Sequence, residues 1–156
     1  MIASIPTENP PRSGAAGGFN CVAYIDGSCF GNPGESGCGV VLKKESGELV
    51  EKAGIYLGHA TNNVAEYQGL LLCLEMAGRH GVESLTVYSD SELLVHQVNG
   101  RYRIKKPHLA ELHDRVRAAL ADGGFQFQIR HVPREQNGEA DGLARQAIRS
   151  RSRIGS

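Results

Sequence analysis

Apolar residues along this chain fall into two patterns. Short continuous or alternating runs mark strands, and longer stretches with apolar positions three to four apart mark helices. Cys21–Ile25 is an unbroken apolar run, as expected of a strand buried on both faces. The stretch from Gly27 to Gly34 (GSCFGNPG) reads as a turn-rich segment. Gly39–Lys43 and Leu49–Leu57 read as two more strands, joined by a hairpin turn through Glu45-Ser46-Gly47-Glu48. Together the three make an antiparallel meander.

A long helix is predicted over Val64–Gly78, after Thr61, Asn62 and Asn63, which are all good N-cap types. Its apolar residues surround most of the circumference, so it packs on more than one side. Ser84–Ser89 is the next strand and Asp90–Val98 a short helix. Arg101–Lys106 is a basic connector, and Pro107 suits the first turn of a helix running to about Ala121. Asp122-Gly123-Gly124 stops it. In Phe125–His131, Phe125, Phe127 and Ile129 alternate with Gln126, Gln128 and Arg130, the signature of a strand. Asn137–Ser150 closes the pattern as a helix.

The order β-β-β-α-β-α-α-β-α implies an α/β domain. Helix-containing connections return the chain parallel and right-handed. The expected architecture is a five-stranded mixed sheet, an antiparallel meander joined to parallel strands, with helices packed on it. Residues 20–150 make one domain. Residues 1–19 and 151–156, rich in small and polar residues without periodicity, are expected to be flexible tails.

Charge qualifies this picture. Lys plus Arg and Asp plus Glu number 17 each, for a formal net charge of zero. Bulk electrostatics therefore cannot hold a nucleic acid, and any such contact must come from a local patch. The four cysteines form no C-x-x-C pair and sit in apolar or Gly-rich stretches, where a free thiol behaves as a small hydrophobe. That usage suggests a reducing compartment. With no membrane-spanning apolar stretch and no charged-then-apolar leader, the chain is expected to be cytoplasmic. Nothing suggests more than a monomer.

Four acids stand where packing alone would not place them. Asp26 ends a wholly apolar strand, where an unpaired carboxylate costs several kcal/mol. Glu66 shares a helical face with Leu70, Cys73 and Ala77, which sets it on the buried side. Asp90 ends the strand Leu85–Ser89, and ligand sites of α/β sheets gather at the carboxyl ends of parallel strands. Asp141 lies in the first turn or so of the last helix, on the face of Ala144 and Ile148. Each has an ordinary structural explanation: a turn, a helix dipole or a cap. Taken together they converge, with no Lys or Arg expected between them, and would repel unless protonated or bound to cations. Hard oxygen ligands suit Mg²⁺ or Mn²⁺, and two such ions can drive phosphodiester hydrolysis.

Four segments also carry a resemblance: Asp26-Gly27-Ser28-x-x-Gly31-Asn32-Pro33-Gly34, Thr61-Asn62-Asn63-x-x-Glu66, Ser89-Asp90-Ser91 and Asn137-x-x-x-Asp141-x-Leu143-Ala144. In order and spacing they resemble the motifs of type 1 ribonucleases H, across about residues 20–150. The resemblance implies an RNase H-like fold and an endoribonuclease that hydrolyses the RNA strand of RNA–DNA hybrids, leaving 3′-hydroxyl and 5′-phosphate ends. It implies that Asp26, Glu66, Asp90 and Asp141 hold two Mg²⁺ ions, with Mn²⁺ able to substitute. Asn32, Asn62 and Asn63 are then expected to meet RNA 2′-hydroxyls, which side-chain amides can both donate to and accept from. Thr61 is expected to contact a DNA-strand phosphate.

Two departures qualify the resemblance. Many family members carry a mobile His in a loop between the last strand and last helix. Here the loop is the short Val132-Pro133-Arg134-Glu135-Gln136 and has none. This short form resembles an archaeal-like branch in which an Arg takes that place; Arg134 is the candidate and Glu135 the runner-up. A large basic, Trp-containing protrusion is also missing, and Arg101, Lys105 and Lys106 form a smaller basic stretch able to touch the DNA strand. The same fold also serves nucleases that cut DNA, and the Asn-rich motifs are what favour RNA discrimination.

Overall fold

The computed structural model describes residues 19–155; the expected N-terminal tail, except for Phe19, lies outside them. Strands β1 (Asn20–Phe30), β2 (Gly34–Lys44) and β3 (Leu49–Ala60) form the expected antiparallel meander. Strands β4 (Ser84–Ser89) and β5 (Gln126–His131) add in parallel beside β1. A sixth strand corrects the expected five: β6 (Ile154–Gly155) pairs antiparallel with Ala53 and Gly54 of β3. The sheet order is β5-β4-β1-β2-β3-β6. Thus the end of the segment expected to be a loose C-terminal tail is tied to the sheet edge. Two residues are too few for an alternating pattern, so this non-local pairing left no periodic trace.

β1 and β2 also run further than expected. Their glycines resemble turn residues, yet only Gly31, Asn32 and Pro33 turn the chain. The glycines instead let helices approach the sheet. A Cβ on Gly27 would run into the backbone of Ala65 and Glu66 on helix α1 (Asn62–Arg79). One on Gly39 would strike the Ala140 carbonyl on helix α4 (Gly138–Ser150). Gly27 pairs with Cys38 and Gly39 with Asp26, so α1 and α4 lie on opposite faces of the sheet.

The α1 face is filled by Leu70, Cys73, Met76 and Ala77 against Ile25, Val40 and Leu42, all part of one buried cluster. Helix α3 (Pro107–Gly123) packs on α1 through Leu109, Leu112, Val116 and Leu120. Being covered by both sheet and helix explains why α1 is apolar nearly all round. Among the described residues, no helix is long and apolar enough to cross a membrane.

Two caps bear on the site. Thr61 is the N-cap of α1, its hydroxyl accepting from the Val64 N–H at 3.3 Å. The short helix α2 (Glu92–Val98) begins later than expected and is capped by Ser91, whose hydroxyl accepts from Leu94 N–H at 3.1 Å. Asp90 is therefore not the cap, and its carboxylate is released from that duty.

Candidate active site

The pairing of β1 with β4 stops at Ile25 and Ser89, so from Asp26 onward β1 has no neighbour on that side. Into this notch point Asp26 from β1, Glu66 from the second turn of α1 and Asp90 from the end of β4. One carboxylate oxygen from each lies within 4.8 Å of the others. Asp26 and Glu66 are buried, at 5% and 9% exposed, and Asp90 is half-buried.

Burial sets the electrostatics. It pushes the Asp26 carboxyl up to about 8, helped by a hydrogen-bonding contact with Asp141 and by the charges of Asp90 and Asp141; the Ser28 hydroxyl opposes this. Burial likewise raises Glu66 well above its ordinary range, aided by Asp26 and Asp90 and resisted by the Gly27 N–H and by Arg134. That N–H donates to Glu66 Oε1 at 3.1 Å. Buried carboxylates crowded together without a cation are a poor structural device, and a hard cation binding their ionised forms would relieve the repulsion. All the donors are oxygens, which fits a divalent ion such as Mg²⁺ or Mn²⁺.

Asp141 sits at the edge of this trio. The Ser28 hydroxyl spans Asp141 Oδ1 at 3.2 Å and Asp26 Oδ2 at 3.4 Å. One turn along α4, Arg145 Nε donates to the Asp141 carboxylate at 3.2 Å. The expectation of acids with no Lys or Arg among them is therefore corrected. Arg145 pairs with the fourth acid, and Arg134 also lines the cleft. The i, i+4 spacing of Asp141 and Arg145 was visible in the sequence as a helical ion pair.

Asn137 is a further residue whose role sequence patterns left unassigned. It is 1% exposed, and its Nδ2 donates to the Ile25 carbonyl at 2.8 Å and to Asp90 Oδ2 at 3.1 Å. One buried amide thus ties the start of α4 to both acid-bearing strands.

The cleft has a volume of about 380 Å³, and Asn62, Asn63 and Arg134 line it beside the four acids. Asn32 sits on the exposed turn, where its Oδ1 accepts from Asn62 N–H at 3.0 Å. Thr61 and Asn32 stand beside the cleft rather than in it. Glu135 is not among the lining residues, which separates it from Arg134. A second groove of about 580 Å³ holds Arg101, Lys105 and Lys106 together with Tyr102, and Asn63 borders both grooves. The acidic and basic regions therefore meet at the start of α1.

Comparison with known proteins agrees with this geometry. A family model described as reverse transcriptase-like matches residues 24–147. A Ribonuclease HI from Halobacterium salinarum is 39% identical over 126 residues, covering 81% of this chain and 63% of its own. A Ribonuclease H from Roseobacter denitrificans is 34% identical, covering 79% of this chain and 91% of its own. The chain belongs to the ribonuclease HI family. Among solved structures, an LC11 ribonuclease H1 in complex with an RNA/DNA hybrid superimposes with a TM-score of 0.81 at 36% identity, covering 84% of this chain and 98% of that one. The chain spans less than two thirds of the length of the Halobacterium protein it matches. Use of divalent metal is a property of the family, and the acid trio offers oxygen donors that could hold one.

Proposed function

We propose that this chain is an endoribonuclease that hydrolyses the RNA strand of RNA–DNA hybrids with two divalent ions, Mg²⁺ with Mn²⁺ able to substitute. The observation that carries the reading is the buried acid trio, three carboxylates within 4.8 Å, opening onto the amides of Asn62 and Asn63. The related LC11 enzyme, solved with an RNA/DNA hybrid, supports the choice of substrate.

Asp26, Glu66, Asp90 and Asp141 would hold the metal. Bound divalent ions supply charge neutralisation at the phosphate and make a water easier to deprotonate. A water oxygen then attacks phosphorus while the P–O3′ bond breaks. The departing O3′ takes up a proton to become the 3′-hydroxyl, and the attacking oxygen stays on the 5′-phosphate.

The chain's own groups position the strand. Asn62 and Asn63 line the cleft, and Asn32 buttresses Asn62 from the turn; these amides suit RNA because a 2′-hydroxyl both donates and accepts. Thr61, at the head of α1, would meet a phosphate of the other strand, as would Arg101, Lys105 and Lys106 across Asn63. Arg134, whose charge already reaches Glu66, is assigned to the outgoing phosphate. Cleavage of a hybrid, an RNA duplex and a DNA duplex, each with and without Mg²⁺, tests the reading. Hybrid-only, metal-dependent cutting supports it, and equal cutting of DNA overturns it.

A further inference from the structure

From the cleft, α4 carries a charged stripe outward beyond the acids. Asp141, Arg145 and Arg149 follow at four-residue intervals along one helical face, so the stripe leads outward from the cleft by about 12 Å. Beside it stands Phe30, the last residue of β1, exposed to 43%. Arg145 and Arg149 lie 5.9 and 6.0 Å from its ring centre, at the limit of cation–π reach. Further out, Arg151 lies 5.9 Å from the Tyr56 ring and 3.4 Å from Glu35. Phe30 and Arg145 both line the acid cleft, so this surface is continuous with it. It departs from the cleft on the α4 side, whereas the basic connector borders Asn63 on α1.

A half-exposed phenyl ring alone is ordinary; its guanidinium neighbours set this one apart. Set between guanidinium groups it has the make-up of a single-strand platform, a positive track with an aromatic face on which an unpaired base can stack. Bases inside a duplex are already stacked on one another and cannot use it. The net charge of the chain is zero, so several guanidiniums gathered here are a local concentration for a polyanion.

We propose that Phe30, Arg145 and Arg149 bind an unpaired extension of the strand that occupies the acid cleft, so that the preferred substrate is a hybrid whose RNA continues as a single strand. This rests on the proposed function for which strand enters the cleft.

The test uses the Asp26→Asn protein with Mg²⁺ and fluorescence anisotropy on four ligands. These are a blunt hybrid, the same hybrid with an unpaired RNA extension at the 5′ or at the 3′ end, and one with an unpaired DNA extension. One RNA-extended hybrid is expected to bind about tenfold tighter than the blunt one. Adding Phe30→Ala or Arg149→Ala should remove that gain, and Arg149→Ala, which lies outside the cleft lining, should leave blunt-hybrid affinity within about twofold; both side chains are at the surface, and a thermal melt checks folding. An RNA extension that brings no gain overturns the proposal, as does a gain that survives both variants or is matched by the DNA extension. Cleavage of the blunt hybrid by the unaltered protein is scored in parallel. Its loss would sink the proposed function, whereas intact cleavage without an extension effect would sink this inference alone.

Discussion

Asp26 and Asp90 each stand one residue beyond Ile25 and Ser89, the last paired positions of the adjacent parallel strands β1 and β4. The sheet therefore delivers two carboxylates side by side where its hydrogen-bonded ladder ends. Glu66 reaches the same place from α1 because Gly27 lets that helix lie against β1.

Asp26 makes stability depend on pH in a definite direction. Its carboxyl is raised to about 8 in the fold, against about 3.9 in an unfolded chain. Below pH 4 both states are protonated and the site costs nothing. Between pH 4 and 8 the unfolded chain releases a proton that the folded one retains, so stability falls as pH rises. Thermal melts without divalent metal should show this slope, and Asp26→Asn should reduce it, Glu66 keeping its own share, while abolishing cleavage. Added Mg²⁺ should restore stability at pH 8 in the unaltered protein and much less in the variant. An unchanged slope in Asp26→Asn would make another group responsible.

Asn137→Ala removes one amide that serves the Ile25 carbonyl and Asp90. Leaving buried partners unsatisfied costs about 1–3 kcal/mol. The variant should melt earlier and lose activity by more than its folded fraction explains, because Asp90 loses its tether. Denaturant unfolding alongside single-turnover cleavage separates the two effects.

Gly39→Ala tests the coupling between packing and chemistry. The new methyl would meet the Ala140 carbonyl and push α4, with Asp141, away from Asp26. Overpacking of this kind costs about 1–3 kcal/mol. Weaker binding of Mg²⁺, read by isothermal calorimetry in the folded variant, is the expected result; full metal affinity would show that α4 adjusts freely.

Arg134→Ala should lower turnover more than it weakens hybrid binding, with Arg134→Lys in between. Steady-state and binding measurements on the same hybrid check this, and equal turnover in all three proteins would remove Arg134 from the mechanism.

The acids were legible because each broke a pattern. Glu66 interrupts an otherwise apolar helix face, Asp26 closes an apolar run, and Asp90 stands at the carboxyl end of the next parallel strand. Glycine was the ambiguous signal: Gly27 serves close helix approach and Gly34 opens β2, yet in sequence both read as turn, and so β1 and β2 looked too short. Ser28 and Asn137 act across 113 and 112 residues of chain, distances at which no local periodicity speaks. Ile154–Gly155 joins the sheet only because β3 offers an open edge, a tertiary fact with no trace in two residues. Arg145 was the miss with a cue available, four residues after an acid on a helix.

The most direct measurement of the central claim is cleavage of one RNA–DNA hybrid, mapped on both strands, by the unaltered protein and by Asp90→Asn, with Mg²⁺ and with chelator. Cuts confined to the RNA strand, present only with Mg²⁺ and lost in Asp90→Asn, are the predicted result. Cuts in the DNA strand, or RNA cuts that persist with chelator or in the variant, would contradict it.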